Sequence, residues 1–194
     1  CIAIKALDFG KLRIGEQAAV LGGGGIGLLI TQLLRSAGAT RIFLSEPLDY
    51  RAEMGLRCGA TAILDPADPT NDLMRKTGGR GVDVVFEATT SVTAQQQALD
   101  MARLGGRVVL IGIPPSEDIT LRASVMRRKG LTITVVRRSA HVYPRAIALA
   151  QQGLVDLPLL LSHQAPLEET ARIFDLMADY ADGVVRAAIQ VAQE

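Results

Sequence analysis

At 194 residues, with 48% hydrophobic side chains and 21 basic against 20 acidic groups (21 − 20 = +1), the chain can bury a core and is too balanced for a disordered tail. Its basic residues are scattered, the densest run being Arg127-Arg128-Lys129 with Arg137-Arg138 shortly after, which excludes the clustered basic face of a nucleic-acid binder. Two cysteines, Cys1 and Cys58, and two histidines, His141 and His163, are too few and too separated for a thiolate/imidazole zinc cluster. The cysteine usage reads as a reducing, cytoplasmic setting without a disulfide framework. No apolar run reaches the roughly 20 residues that cross a bilayer, and no basic segment precedes a hydrophobic one at the start, so neither a membrane span nor a targeting segment is expected.

Cys1 to Leu7 reads as a helix begun mid-turn with no N-cap residue before it, and residues 1–14 form a leading helix and linker of what looks like a piece of a longer protein. Ala18 to Leu21 is a short apolar strand, followed by the run Gly22 to Gly25. The helix after it carries Ile26, Leu29, Ile30, Leu33, Leu34 and Ala37 at the 3-4 spacing of one buried face and ends at Gly38. Arg41 to Ser45 reads as a second strand, Asp49 to Arg57 as a helix closed by Gly59, and Ala62 to Leu64 as a third strand. Thr70 to Thr77 is a short helix before a Gly78-Gly79 turn, and Val82 to Phe86 is a strand rich in β-branched residues. Val92 to Ala102 is helical, Gly105-Gly106 turns the chain into a strand at Arg107 to Ile111, and Leu131 to Val136 supplies a sixth strand after a connection containing Pro114-Pro115. Helices at Tyr143 to Gln152 and Glu168 to Ala178 precede a final strand, Val184 to Ile189. Strands that are near-continuous apolar runs, alternating with helices, are the mark of parallel strands covered on both faces. The fold class is α/β, a doubly wound parallel sheet of six main strands in one domain.

Gly22, Gly24 and Gly27 fit G-x-G-x-x-G directly after the first strand and at the opening of a helix. The first glycine permits the tight turn, the second lets a pyrophosphate approach the backbone, and the third lets helix pack closely on strand. The helix N-terminus then offers free N–H groups and the positive end of its dipole to an anion. The plainer alternative is a Gly-rich turn that holds no ligand. Glu46 follows at the end of the second strand, 46 − 22 = 24 residues beyond the first glycine, near the spacing at which a carboxylate takes the ribose hydroxyls of NAD. A 2′-phosphate placed there meets like-charge repulsion. Arg51 is the residue that can instead cradle such a phosphate, and the alternative for Glu46 itself is a solvated strand-end acid.

Four stretches, Val20-Leu21-Gly22-Gly23-Gly24-Gly25-Ile26-Gly27, Gly59 to Pro66, Gly81 to Glu87 and Gly105 to Gly112, together resemble the medium-chain dehydrogenase/reductase (zinc alcohol dehydrogenase) superfamily, and within it the sorbitol, butanediol and threonine dehydrogenase branch. The match covers nearly the whole chain. It implies a Rossmann-type NAD(P)-binding domain over 1–194, with 165–194 as a C-terminal helix and return strand. By this resemblance Gly25 and Ile26 present backbone amides to the pyrophosphate, and Glu46 with Arg51 forms the adenosine-ribose pair. Ala88 and Thr89 stand at the fourth-strand exit beside the cofactor. Ile111, Gly112 and Ile113 stand at the fifth-strand exit, whose backbone meets the nicotinamide carboxamide, and Arg138 aligns with an arginine near the cofactor. The chain departs from the family at Arg137, where Phe is frequent, and at Thr90, where Gly is frequent.

The resemblance further implies a zinc- and NAD-dependent enzyme that oxidises a secondary alcohol or polyol to a ketone by hydride transfer. Its zinc ligands, a Cys, a His and usually a Glu, come from an N-terminal barrel-like domain absent from this chain, which has no Gly-His-Glu signature. The segment is therefore expected to bind dinucleotide and to be inactive alone, with no catalytic residue and no metal ligand of its own. The alternatives are a non-catalytic NAD(H)-sensing module and a zinc-independent, NADPH-preferring quinone-reductase type, against which Glu46 argues. A methyltransferase usually carries an acid just before the first glycine, where this chain has Ala19-Val20-Leu21. His141 and His163 have no acidic residue nearby in the sequence and read as loop or surface histidines, and Cys58 reads as a packed thiol. In the resembling family the sheet edge corresponding to Leu131–Val136 joins a second subunit, which implies a homodimer or homotetramer.

Overall fold

In the computed structural model the described residues are 1–191. The end of the expected 165–194 segment, residues 192–194, lies outside them. The chain runs α1 (Ile2–Gly10), β1 (Gln17–Leu21), α2 (Gly25–Ser36), β2 (Arg41–Ser45), α3 (Asp49–Arg57), β3 (Ala62–Leu64), α4 (Pro69–Lys76) and β4 (Val82–Glu87). It continues as α5 (Ala94–Met101), β5 (Ala102–Leu110), α6 (Ala123–Lys129), β6 (Thr132–Val135), α7 (Tyr143–Gln151), β7 (Leu161–Pro166), α8 (Thr170–Ala178) and β8 (Arg186–Gln190).

Six strands form one parallel sheet in the order β3-β2-β1-β4-β5-β6. The buried side chains fall into two clusters, one on each face. Helices α1, α2, α3 and α7 close over Val20, Ile42, Val84 and Phe86, whereas α4, α5 and α6 close over Leu21, Phe43, Val85 and Val108. Every residue of β4 is buried, as expected of a central strand with helices above and below. The order reverses direction between β1 and β4, and at that switch point the connections leave the carboxyl edge on opposite sides, opening a crevice above the strands.

Several local expectations need correction. Gly105-Gly106 is not a turn before β5 but lies within it. The register passes from Val82↔Ala102 to Val84↔Arg107, so two steps along β4 match five along β5, and Gly105 takes the positive φ of +65° that this bulge demands. The helix expected from Val92 begins at Ala94, because Ser91 and Thr93 fold into a hydroxyl-bonded turn, with the Thr93 N–H donating to Ser91 Oγ at 3.3 Å. The helix expected over Glu168 to Ala178 starts as a 3₁₀ turn, Leu167–Glu169, before α8. The final strand is β8, shifted to Arg186–Gln190, and it pairs in parallel with β7 in a separate two-stranded sheet. The strand β7 has no counterpart among the expected elements, because its polar residues and terminal proline hide the pattern.

Asp83, buried on β4, ties the amino edge of the sheet. Its carboxylate accepts from Arg80 at 2.7 Å, Arg103 at 2.6 Å and the Gln17 N–H at 2.9 Å. Burial pushes its acidity towards the neutral form, but Arg80, the Gln17 amide and Arg103 outweigh that and hold it well below the usual carboxylate range. A depressed folded value contributes stability that is complete above the unfolded pKa of about 4 and is lost as pH falls towards the folded one. Asp83→Asn is expected to cost about 3 kcal/mol at neutral pH, having left two guanidinium groups unpaired. Denaturant titrations should find that penalty shrinking below about pH 4, and a pH-independent penalty would exclude the ion pairs as its source.

Candidate functional site

A groove of about 730 Å³ runs along the carboxyl edge of the sheet, over the ends of β1, β2, β4 and β5. Its floor begins at the glycine loop between β1 and α2. Gly22 sits at φ +98° and donates its N–H to the Ser45 carbonyl at 2.8 Å; a Cβ there would meet the Ala88 carbonyl oxygen at 2.8 Å. A Cβ on Gly27 would fall onto the Gly22 carbonyl oxygen, which is why helix α2 approaches β1 so closely. Gly24 is different: a Cβ would have nothing within 4 Å, so this position faces open groove. The loop thus contains two glycines required by packing and one whose bareness leaves room for something outside the protein.

Of the residues singled out in the sequence, Gly22, Gly24 and Ile26 line the first part of the groove, with Glu46 and Arg51 at the β2 end. Ala88 and Thr89 beyond β4, and Ile111, Gly112 and Ile113 beyond β5, line the other half. Gly25 and Gly27 contribute helix backbone rather than lining. Arg138, in the left-handed region at φ +51° after β6, is not brought to the groove wall, and Thr90 is.

Glu46 is buried and its carboxylate is fixed. Oε2 accepts from the Gly23 N–H at 2.6 Å and Oε1 from the Leu48 N–H at 3.0 Å. A Cβ on Gly23 would meet Glu46 Cγ at 2.9 Å, so the glycine between the first and second of the motif is set by this acid, a constraint that the motif's spacing does not express. A second residue that the sequence does not single out is Arg186. From β8 its guanidinium reaches over Gly25, where an added Cβ would collide with it, and among the described residues no carboxylate pairs with it. A free cation at the N-terminus of α2 reinforces the anion-attracting end of that helix. No local motif signals it, because it lies 161 residues along the chain from Gly25, by 186 − 25.

On the other half of the groove, Glu87 is fully buried at the end of β4. Its Oε1 accepts from the Thr89 N–H at 2.8 Å and the Thr89 hydroxyl at 2.7 Å, while its main-chain carbonyl accepts from Ile111 at 2.8 Å and Gly112 at 3.0 Å. One residue therefore joins the two strand exits that form this wall. Burial pushes its carboxyl above the ordinary range, against the pull of the Thr89 hydrogen bonds.

The remaining candidates lie elsewhere. His163 sits on β7 and, contrary to expectation, has an acidic partner: Nε2 is 3.3 Å from Asp182, brought there by the β7–β8 pairing. His141 is exposed at φ +58°. Cys58 is buried, with the Gln32 amide 3.6 Å from Sγ, and burial raises its pKa; both cysteines are free thiols. Among the described residues no three His, Cys, Asp or Glu side chains converge as a metal-ligand set, so these residues do not fit a zinc ion. No helix among them is long and apolar enough to cross a membrane.

The two kinds of glycine make a direct prediction. Gly27→Ala should lower stability by about 2 kcal/mol or more, since the methyl meets backbone that cannot yield. Gly24→Ala, with free space and an unstrained φ of −70°, should stay within about 1 kcal/mol of the parent. Equal losses in thermal melts would contradict the packing described.

Comparison with known proteins agrees with this architecture. Residues 25–152 match the family model described as zinc-binding dehydrogenase. L-threonine 3-dehydrogenase of Bacillus velezensis is 35% identical over 167 residues, covering 84% of this chain and 48% of that protein. The alcohol dehydrogenase TADH from Thermus sp. ATN1 superposes with a TM-score of 0.90 at 27% identity, over 98% of this chain and 55% of that one. A putative zinc-binding dehydrogenase from Sinorhizobium meliloti 1021, bound to NADP, superposes with a TM-score of 0.87 at 28% identity, over 97% and 56%. The chain spans about half the length of the curated relatives it matches. With two thirds of its length matched by the family model, as 128 of 194 residues, the chain belongs to the zinc-binding dehydrogenase family.

Proposed function

We propose that this chain is the coenzyme-binding half of a zinc-dependent alcohol or polyol dehydrogenase and that its groove takes NAD. The observation that carries the cofactor reading is Glu46. Its carboxylate is pinned by two backbone N–H groups at the β2 end of the groove, where each oxygen keeps a lone pair for a ribose hydroxyl and where a 2′-phosphate meets an anion that cannot turn away. Gly22, Gly24 and the first-turn N–H groups of Gly25, Ile26 and Gly27 would hold the pyrophosphate, assisted by Arg186. Ala88, Thr89, Ile111, Gly112 and Ile113 would hold the nicotinamide half, and Arg138, a few residues beyond β6, is the candidate for approaching from outside the groove.

The bound coenzyme supplies a hydride acceptor for the carbon of a secondary alcohol. The chain's own contribution is to bind and orient it, and to exclude water with the apolar Ile111 and Ile113. The relatives are named threonine and alcohol dehydrogenases, which supports a small-molecule alcohol or ketone as substrate. Zinc ligands are proposed to lie on the part of a longer protein that this chain does not represent, so the chain alone should bind coenzyme without turnover. The strand β6 lies at the sheet edge with Val135 exposed, which supports association of two copies there as a homodimer or tetramer. The NADP-bound relative keeps the phosphorylated coenzyme as the competing reading, for which Arg51 is the observation.

Nicotinamide fluorescence titrations with NADH and NADPH decide between them. NADH should bind at least about tenfold tighter, Glu46→Ala should abolish the difference, and Gly24→Ala should lose NADH while keeping its fold. Tighter binding of NADPH by the unmodified chain would transfer the reading to NADP, and no binding of either by a folded chain would remove it.

A further inference from the structure

A second cavity, of about 330 Å³, lies beside the groove and is lined from β4, α5, β6 and the end of β5. Gly112 and Ile113 line both spaces and so form the partition between them. Most of its wall is apolar, with Leu110, Pro114, Ile119 and Val135 contributing. Ile119 and Val135 are exposed, which places them at the rim.

Two buried polar side chains line this cavity from different elements. Glu87, at the end of β4, is fully buried, and Gln95, on α5, is 2% exposed. Glu87 engages Thr89 through Oε1, but its Oε2 has no hydrogen-bond partner among the described residues, and neither end of the Gln95 amide has one. Each buried polar atom left unpaired costs about 1 to 3 kcal/mol, and more when it carries charge. Three such atoms on one cavity are therefore a demand for an occupant that hydrogen-bonds. A Cβ on Gly112 would fall 2.7 and 2.8 Å from the two Glu87 oxygens, so the bare backbone there is what admits the carboxyl to this position.

Charge narrows the occupant. No Arg, Lys or His is among the lining residues, and no ion pair of the described residues engages Glu87. The other ionisable residue of the lining is Glu117, itself acidic and exposed at the rim. An anion would meet two carboxylates, and a neutral body would leave a buried carboxylate without a counter-charge. A metal ion is a poor match, because no three His, Cys, Asp or Glu side chains converge among the described residues. A primary ammonium brings three N–H donors and a positive charge, and a short hydrocarbon body behind it suits the apolar wall.

We propose that this cavity is a second ligand site, separate from the coenzyme groove, which takes a small primary amine in its ammonium form, with Glu87 Oε2 and Gln95 Oε1 as its polar anchors. The proposal does not depend on what the groove binds.

The test compares 3-methylbutylamine with 3-methylbutanol, the same carbon skeleton without the charge, by calorimetric titration and methyl NMR of the chain. The amine should bind at least about tenfold tighter than the alcohol, the size of one hydrogen bond to a charged group. It should also shift the methyl signals of Ile119 and Val135, which line this cavity and not the groove. Glu87→Gln keeps an acceptor for Thr89 and removes the charge, so the preference for the amine should vanish. Gln95→Met is the second arm should Glu87→Gln fail to fold: it should weaken the amine about fivefold and leave the melting temperature unchanged or higher, since an unpaired buried amide is removed. A folded parent that does not bind the amine, equal binding of amine and alcohol, binding that shifts neither methyl, or amine affinity that survives Glu87→Gln or Gln95→Met undiminished would each overturn the proposal.

Discussion

The contact between Gly27 and the carbonyl of Gly22 fixes how far helix α2 can descend onto the sheet, and the candidate site follows from that distance. With a side chain at 27 the helix would ride higher, and its first-turn N–H groups would no longer open onto the crevice between the strand exits. The close approach also explains why the neighbouring positions are constrained. Gly22 must turn through positive φ under the Ala88 carbonyl, and Gly23 must lie flat against the Glu46 carboxylate that its own N–H binds. Four consecutive glycines thus answer four separate requirements: a turn, a carboxylate, an open face, and a cation overhead at Gly25.

On the proposed reading, the charges along the groove match a dinucleotide's own polarity. The α2 N-terminus and Arg186 place positive potential at the loop, and Glu46 places a fixed negative charge at the far end of β2. The wall beyond β4 and β5 carries no free charge at its surface, because the carboxyl of Glu87 is turned inward and tied to Thr89. An anion in the middle, hydroxyls at one end and an uncharged ring at the other would each meet a complementary surface.

The sheet and the motif are legible in the sequence because both are local. Val82 to Phe86 is a nearly unbroken apolar run, and Gly22, Gly24 and Gly27 stand at fixed spacing after a strand, so each declares its role within a few residues. The place of Glu46 at the end of β2 is legible for the same reason. What escapes depends on contacts between distant segments. The importance of Gly23 appears only once Glu46 is folded against it, Arg186 reaches Gly25 from β8, and the partner of His163 is Asp182 across a strand pair that polar β7 gives no sign of forming. The Gly105 bulge is the converse error: glycines that elsewhere end an element here widen one.

These escaped residues share an origin, and that has a structural consequence. Arg186 belongs to β8, and Tyr180, Asp182 and Val184 to the turn before it, so this small unit brings Arg186 over Gly25 and Tyr180 to the groove wall. Its register is set by Ser162, whose hydroxyl accepts from the Val185 N–H at 2.9 Å and the Arg186 N–H at 3.3 Å and donates to the Arg186 carbonyl at 2.9 Å. A shift of one residue in that pairing would carry the guanidinium off Gly25 and the Val184 carbonyl off Arg51 together. The six-stranded sheet provides the crevice and the helix end, and the small β7–β8 unit adds the guanidinium over Gly25 and the turn that packs against Arg51.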